Sequence, residues 1–451
     1  MLEHFATKKV QTPCFYNGLY PLHLPFQFQF SFDPYNPRQV CQLEKMNLMK
    51  SINVLMILGS SLIVTPISAL AASINFVELM DNVIQNQPQQ QVKNSIKEIH
   101  AANQSLSDSW ISGDADIIVH HENDALTDND DYKNWQVGIE FPIWMPSQKS
   151  AQKQLTNSYS NEITAQDIYL RWLASETLRN LVWEYHIAKV EIDAARSALH
   201  KSRSLQQKVS QKVNAGESPK IDLILANKVV LEQQNKLIKK QSAFSMAQHN
   251  FQSWTQTNSF PKNIQERLLP PKAVDQHPEV IMLSSDIQLS ESELKKTRSL
   301  KQESPRIFLG AQNDKDKNDE NTSLIVEVSI PLGINPRYMP KVAEKKRTIY
   351  EKKATLDRAK VKLERAIFKA QQSLATAKQN IIFSKQQYEL SKKALAMSEE
   401  AYQIGEMNIQ NLLLVQQQSD ESKLNYELAQ AQAGQATAKL NQISGNILGV
   451  E

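Results

Sequence analysis

The stretch "NAGESPKIDLILAN", Asn214–Asn227, stops a long, charged, helix-favouring run at a glycine and a proline, then restarts it with leucines at helical spacing. Glycine is scarce here, 11 in 451 residues, so one placed mid-helix marks a backbone need. The pattern returns in "QIGEMNIQNLLLVQQ", Gln403–Gln417. Gly216 and Gly405 lie 189 residues apart, as do Glu217 and Glu406, Leu223 and Leu412, and Leu225 and Leu414. Two such breaks in one phase read as the turns of two long helical hairpins.

Working outward, other landmarks keep the same offset. Pro142 in "GIEFPIW" and Pro331 in "VEVSIPLG" are also 189 apart, and Pro88 in "NQPQQQ" meets Pro278 in "DQHPEV" one residue out of phase. The chain therefore reads as a two-fold internal repeat, 72–262 and 263–451. Each half predicts a helix (about 76–109 and 278–301), two short strands around a polar loop, a very long helix (about 147–213 and 340–404), the glycine turn, and a last helix (about 221–255 and 409–443). A helix of about 65 residues spans roughly 100 Å, which suits a helical hairpin or coiled coil rather than a compact domain. Ser218 is the expected N-cap after the first turn, with Pro219 in the first helical turn, and Asn408 is the cap after the second. The fold class expected is mainly α with a small β part.

The strands alternate strictly. Trp135, Val137, Ile139 and Phe141 share one face of the first, while Leu324, Val326, Val328 and Ile330 share one face of the second. Their expected partners are 115–121 and 306–312, joined through the polar loops "ENDALTDNDDYKN" and "NDKDKNDENT". A sheet with one apolar and one polar face suits a membrane β-barrel, with Trp135 and Trp144 at its aromatic girdles. It also suits two soluble hairpins packed on helices. Four strands cannot close a barrel, so in the membrane reading several copies share one, and three copies give about 12 strands.

The N-terminal region differs from the rest. Residues 1–45 are aromatic-rich and hold both cysteines, Cys14 and Cys41, and they read as a mis-assigned or disordered extension. Lys50, the apolar run from Ile52 to Val64 and Ala69-Leu70-Ala71 then read as a secretory signal peptide over 46–71, cut after Ala71. The chain after it holds no cysteine, which excludes a disulfide framework and Cys-based metal sites. A net charge of +3 offers no footprint for nucleic acid.

Signal peptide, repeat, strand ends Phe141-Pro142 and Ile330-Pro331, and the paired glycine turns together resemble the TolC family of outer-membrane efflux channels, over 72–451. The resemblance implies a homotrimer in the outer membrane of a Gram-negative bacterium. Each copy gives four strands to a shared barrel and its helices to a periplasmic tunnel. Partners so implied are outer-membrane lipid, a periplasmic adaptor (membrane fusion protein) and an inner-membrane pump of the RND type. It places Gly216, Glu217, Ser218, Gly405, Glu406 and Asn408 at the periplasmic tip, in contact with the adaptor. It also assigns a gate. An aromatic hydroxyl three residues before the second glycine faces an acid six residues after the first, and here these are Tyr402 and Asp222. Family acids six and nine residues after the second glycine are replaced by Asn411 and Leu414, and a basic residue two after it by Met407. A mouth without those carboxylates attracts cations less.

The substrate is less legible. "VSIPLGINPRYMPK" resembles the heavy-metal, CzcC-like branch over a short run. His120 and His121 are adjacent strand residues on opposite faces, which argues against a shared metal ion. No phosphate loop, nucleophile elbow, zinc-protease or dinucleotide motif occurs, so neither an enzyme nor a cofactor is expected. Two other readings stay open, a type I protein-secretion channel and a periplasmic coiled-coil or adaptor protein.

Overall fold

The computed structural model describes residues 76–126, 131–333 and 338–449, which fall within one compact unit, Ala69–Glu451. The expected extension and signal peptide lie outside the described residues, as do 334–337 of the stretch that resembles the heavy-metal branch. The elements run α1 (Phe76–Gln85), α2 (Gln89–Asp108), β1 (Asp116–Asn123), β2 (Lys133–Pro142), α3 (Pro146–Asn214), α4 (Lys220–Thr255), α5 (Pro278–Ser299), β3 (Arg306–Lys315), β4 (Glu320–Ser329), α6 (Tyr338–Gln403) and α7 (Ile409–Ile443). A strap over 256–277, with one short 3₁₀ turn at Val274–Gln276, joins α4 to α5.

The long helices fall within two or three residues of the sequence expectation. The first helix does not. One helix was expected over 76–109, and two are found, broken around Pro88, which has no N–H to donate. Asn82 and Asn86 then tie α1 to the end of α4, donating to the Thr255 and Trp254 carbonyls at 2.8 and 2.9 Å.

Helix pairing gives two levels. Next to the strands the packing order is α2–α3–α5–α6, and next to the glycine turns it is α4–α3–α7–α6. Only α3 and α6 run through both levels. At their junction lies the main core, where Leu79, Val83, Leu178, Val182, Trp183 and Phe251 are buried together. Gly434, in the middle of α7, lets the Trp183 ring come so close that a Cβ there would stand 2.2 Å from it. Arg179, 4 % exposed, binds both oxygens of Glu266 on the strap at 2.9 and 2.7 Å. It also reaches Gln442 at 2.5 Å and the Asn446 carbonyl at 2.9 Å. Asn441 donates to the Arg267 carbonyl at 2.8 Å, so the C-terminal end of α7 is fastened to both α3 and the strap.

The strands form one antiparallel sheet in the order β1-β2-β3-β4. The two hairpins match the sequence reading. The β2–β3 ladder that joins them, from Lys133↔Lys315 to Pro142↔Arg306, was not foreseen.

Candidate functional site

Register puts the alternating apolar residues into rows that cross all four strands. Ile117, Ile139, Leu309 and Val326 form one row, and Val119, Val137, Ala311 and Leu324 the next. Phe141, Ile307 and Val328 make a third. Trp135, Val137, Ile139, Leu324, Val326, Val328 and Ile330 are all exposed, Leu324 by 89 %. Ile330 lies just beyond the end of β4. The opposite face carries Asp116, His120, Gln136, Glu140, Arg306, Gln312 and Glu327, with Arg306 bound to Asp116 and, at 2.6 Å, to Glu140. Phe308 is buried on this face because its ring lies over Gly138 and Gly310.

The two histidines part as expected. His121 stacks on Trp135 with ring centroids 4.0 Å apart, while His120 takes the polar face. Among the described residues, no group of three or more His, Cys, Asp or Glu side chains could hold a metal ion, and no helix is long and apolar enough to cross a membrane.

Trp144 lies just past the end of β2. Its indole N–H is held by the Ser109 carbonyl at 3.1 Å. Trp110, which the sequence reading passed over, is 65 % exposed and packs edge-on against Phe141 at 4.7 Å, half-covering that ring. Its signal was position: a tryptophan between the end of α2 and β1, at the foot of the sheet.

The glycine turns are near copies. Gly216 has φ +77° and Gly405 has φ +86°, and a Cβ at either would meet nothing within 4 Å. Positive φ, not crowding, therefore requires glycine. In each turn the next residue reaches back five positions, Glu217 N–H to the Lys212 carbonyl at 2.8 Å and Glu406 N–H to the Ala401 carbonyl at 2.9 Å. Asn408 caps α7 as expected, accepting from the Asn411 N–H at 2.8 Å. Ser218 is not the cap of α4. Pro219 occupies that position with extended backbone and no side-chain bond, because the proline ring fixes φ there and the helix begins only at Lys220. Glu217, Glu406, Asn411 and Leu414 are exposed, the last two on one face of the first turns of α7.

Tyr402 and Asp222 are brought close, but no hydrogen bond forms between them. The Tyr402 hydroxyl is shielded from solvent without a bond partner. Burial first, and then the Asp222 charge, raise its pKa, and the neighbouring Ser218 hydroxyl opposes them. The ring packs with Val209, Ala226, Ile409 and Leu412, which joins the two hairpins.

No family model matches the chain, and no curated protein matches it by sequence. Solved structures do. CusC, whose structures follow the changes that accompany folding and transmembrane channel formation, superposes with a TM-score of 0.66 at 11 % identity, over 84 % of this chain and 96 % of CusC. The outer-membrane protein VceC from Vibrio cholerae gives 0.63 at 12 %, over 82 % and 96 %. The CmeC outer-membrane channel of Campylobacter jejuni gives 0.63 at 10 %, over 84 % and 87 %. At these identities the likeness is one of architecture, and the chain has the fold that CusC, VceC and CmeC share.

Proposed function

We propose that this chain is an outer-membrane efflux channel of the TolC type. It works as a homotrimer that passes substrate from an inner-membrane RND pump and a periplasmic adaptor to the exterior of a Gram-negative cell. One observation carries the reading. A sheet with an unbroken apolar face, a polar opposite face and two unpaired edges stands at the end of two helices of 69 and 66 residues. Strands of eight to ten residues suit a tilted membrane strand. An open edge is not tolerated in lipid, so β4 of one copy pairs with β1 of the next. No helix covers the apolar face, which disfavours the soluble-hairpin alternative.

The helical levels support the same assembly. Each has α6 at one edge and α2 or α4 at the other. Both edges carry exposed apolar residues at heptad spacing, Ile224, Leu231 and Ile238 on α4, and Phe383, Leu390 and Met397 on α6, with Ile404 just past its end. Contact between unlike edges is heterologous and closes into a ring. The elements of 72–262 recur in 263–451, which supports an internal duplication. In this reading the tips at Gly216, Glu217, Ser218 and Gly405, Glu406, Asn408 meet the adaptor, and Asn411 and Leu414 line a mouth without carboxylates.

The test is biochemical. The protein expressed with its own leader should fractionate with the outer membrane, run as a heat-modifiable, SDS-resistant trimer and conduct ions in planar bilayers. A soluble periplasmic monomer would overturn the proposal.

A further inference from the structure

The seam between the two hairpins of one copy is crossed by two lysines of α3. Lys212, in the last turn of α3, places Nζ 4.7 Å from the centre of the Tyr402 ring at the end of α6. Its own carbonyl accepts the Glu217 N–H in the Gly216 turn, so its backbone is fixed by that turn. Lys201, eleven residues earlier and about three turns up the same face, pairs with Asp420 of α7 at 2.5 Å. Between them lies a small apolar cluster built on Val209, Tyr402, Ile409 and Leu412.

The 189-residue offset shows that these links are not duplicated. The counterpart of Lys212 is Ala401, that of Tyr402 is Val213, and that of Asp222 is Asn411. The counterparts of Lys201 and Asp420 are Leu390 and Leu231, both exposed on the outer edges of the helical layer. Equivalent places therefore carry opposite chemistry. The seam inside a copy carries lysine contacts on both sides of its apolar cluster, and the equivalent places on the outer edges carry leucines.

We propose that Lys212 and Lys201 clasp the two hairpins of each copy near the glycine turns and so hold the tip closed. This rests on the channel reading for its consequence, but the clasp itself is a contact within one chain. Lys212 acts as a positioning residue. Its charge holds the Tyr402 ring against α3 at the place where α4 presents Asp222.

Amide hydrogen exchange on the purified full-length protein tests the clasp directly, over 395–412. Lys212→Met and Lys201→Met should each speed exchange there by about two- to fivefold, and the pair together by about tenfold, since the sites are far enough apart to add. Lys212→Arg should restore the native rate, and because Met keeps an unbranched apolar stem, a loss in Lys212→Met reports the charge rather than stem packing. Lys208→Met, an exposed lysine on the same helix, is the charge control, and α1 reports global folding. Exchange in Lys212→Met no faster than in Lys208→Met would overturn the clasp. Planar-bilayer leak is read in parallel, and should rise in Lys212→Met. A silent wild-type bilayer would overturn the channel reading, while the exchange comparison still judges the clasp.

Discussion

Arg179 carries a full charge at 4 % exposure, and a guanidinium so enclosed is tolerable only when its donors are used. They are: Glu266 takes two, and Ser175, Gln442 and the Asn446 carbonyl share a third nitrogen. Arg179→Ala would leave Glu266 ionised beside a cavity, and is expected to lower stability by about 3–5 kcal/mol. Arg179→Ala with Glu266→Gln should lose clearly less than the sum of the single changes, because the two groups act as one. Chemical denaturation followed by tryptophan fluorescence measures both, and a loss under about 1 kcal/mol for Arg179→Ala would contradict the account. At Gly434 the constraint is steric instead, a helix-weakening residue kept because the Trp183 ring occupies the space of its Cβ.

Between elements, the α3–α5–α6 seam below the sheet is sensitive to pH. Glu162 of α3, 7 % exposed, has its pKa pushed to about 7, by burial first and then by Asp286 and Glu293 of α5, with Lys352 of α6 opposing. Burial raises the Asp286 pKa too. Ser158 and Ser292 meet at 2.7 Å across the same seam, and Lys345 binds Glu293 at 2.8 Å. A carboxyl whose folded pKa lies above its unfolded value stabilises the fold at low pH. That contribution falls away as pH climbs from about 4.5 to about 7. The share of the thermal midpoint due to Glu162 should therefore fall between about pH 5 and pH 8, and Glu162→Gln should remove that share from the pH profile; equal slopes in the two proteins would reject the assignment. Sequence reached this scale unevenly. Periodicity exposed the long helices, the strand faces and the glycine turns, because those patterns are local or repeat at a fixed offset. The β2–β3 ladder, the strap, the Arg179 network and Glu162 depend on which distant segments meet, and no local pattern carries that. Ser218 was misplaced by one residue because Pro219 satisfies the helix start without a side-chain cap.

At the scale of the whole molecule, the proposed assembly and the 189-residue offset together give a register that can be tested residue by residue. If α6 of one copy meets α4 of the next as α3 meets α7 within a copy, Leu390 faces Leu231 as Lys201 faces Asp420. Leu231→Cys combined with Leu390→Cys should give disulfide-linked oligomers under mild oxidation, and either single variant far fewer, since the chain after residue 71 holds no other cysteine. Equal cross-linking in single and double variants would rule out that register. The fastening of α7 at its C-terminal end has a mechanical consequence. Gln442 and Asn446 are bound to α3, and Asn441 to the strap, while the N-terminal end of α7 lies 35 residues away, about 50 Å along its axis. The helix is thus a lever with its fulcrum at the middle of the protein. A tilt of about 5° about that fulcrum swings the tip by about 4 Å. Lys212 grips Tyr402 at the end of α6, across the turn from the far end of this arm, where a contact of about 1 kcal/mol acts far from the fulcrum.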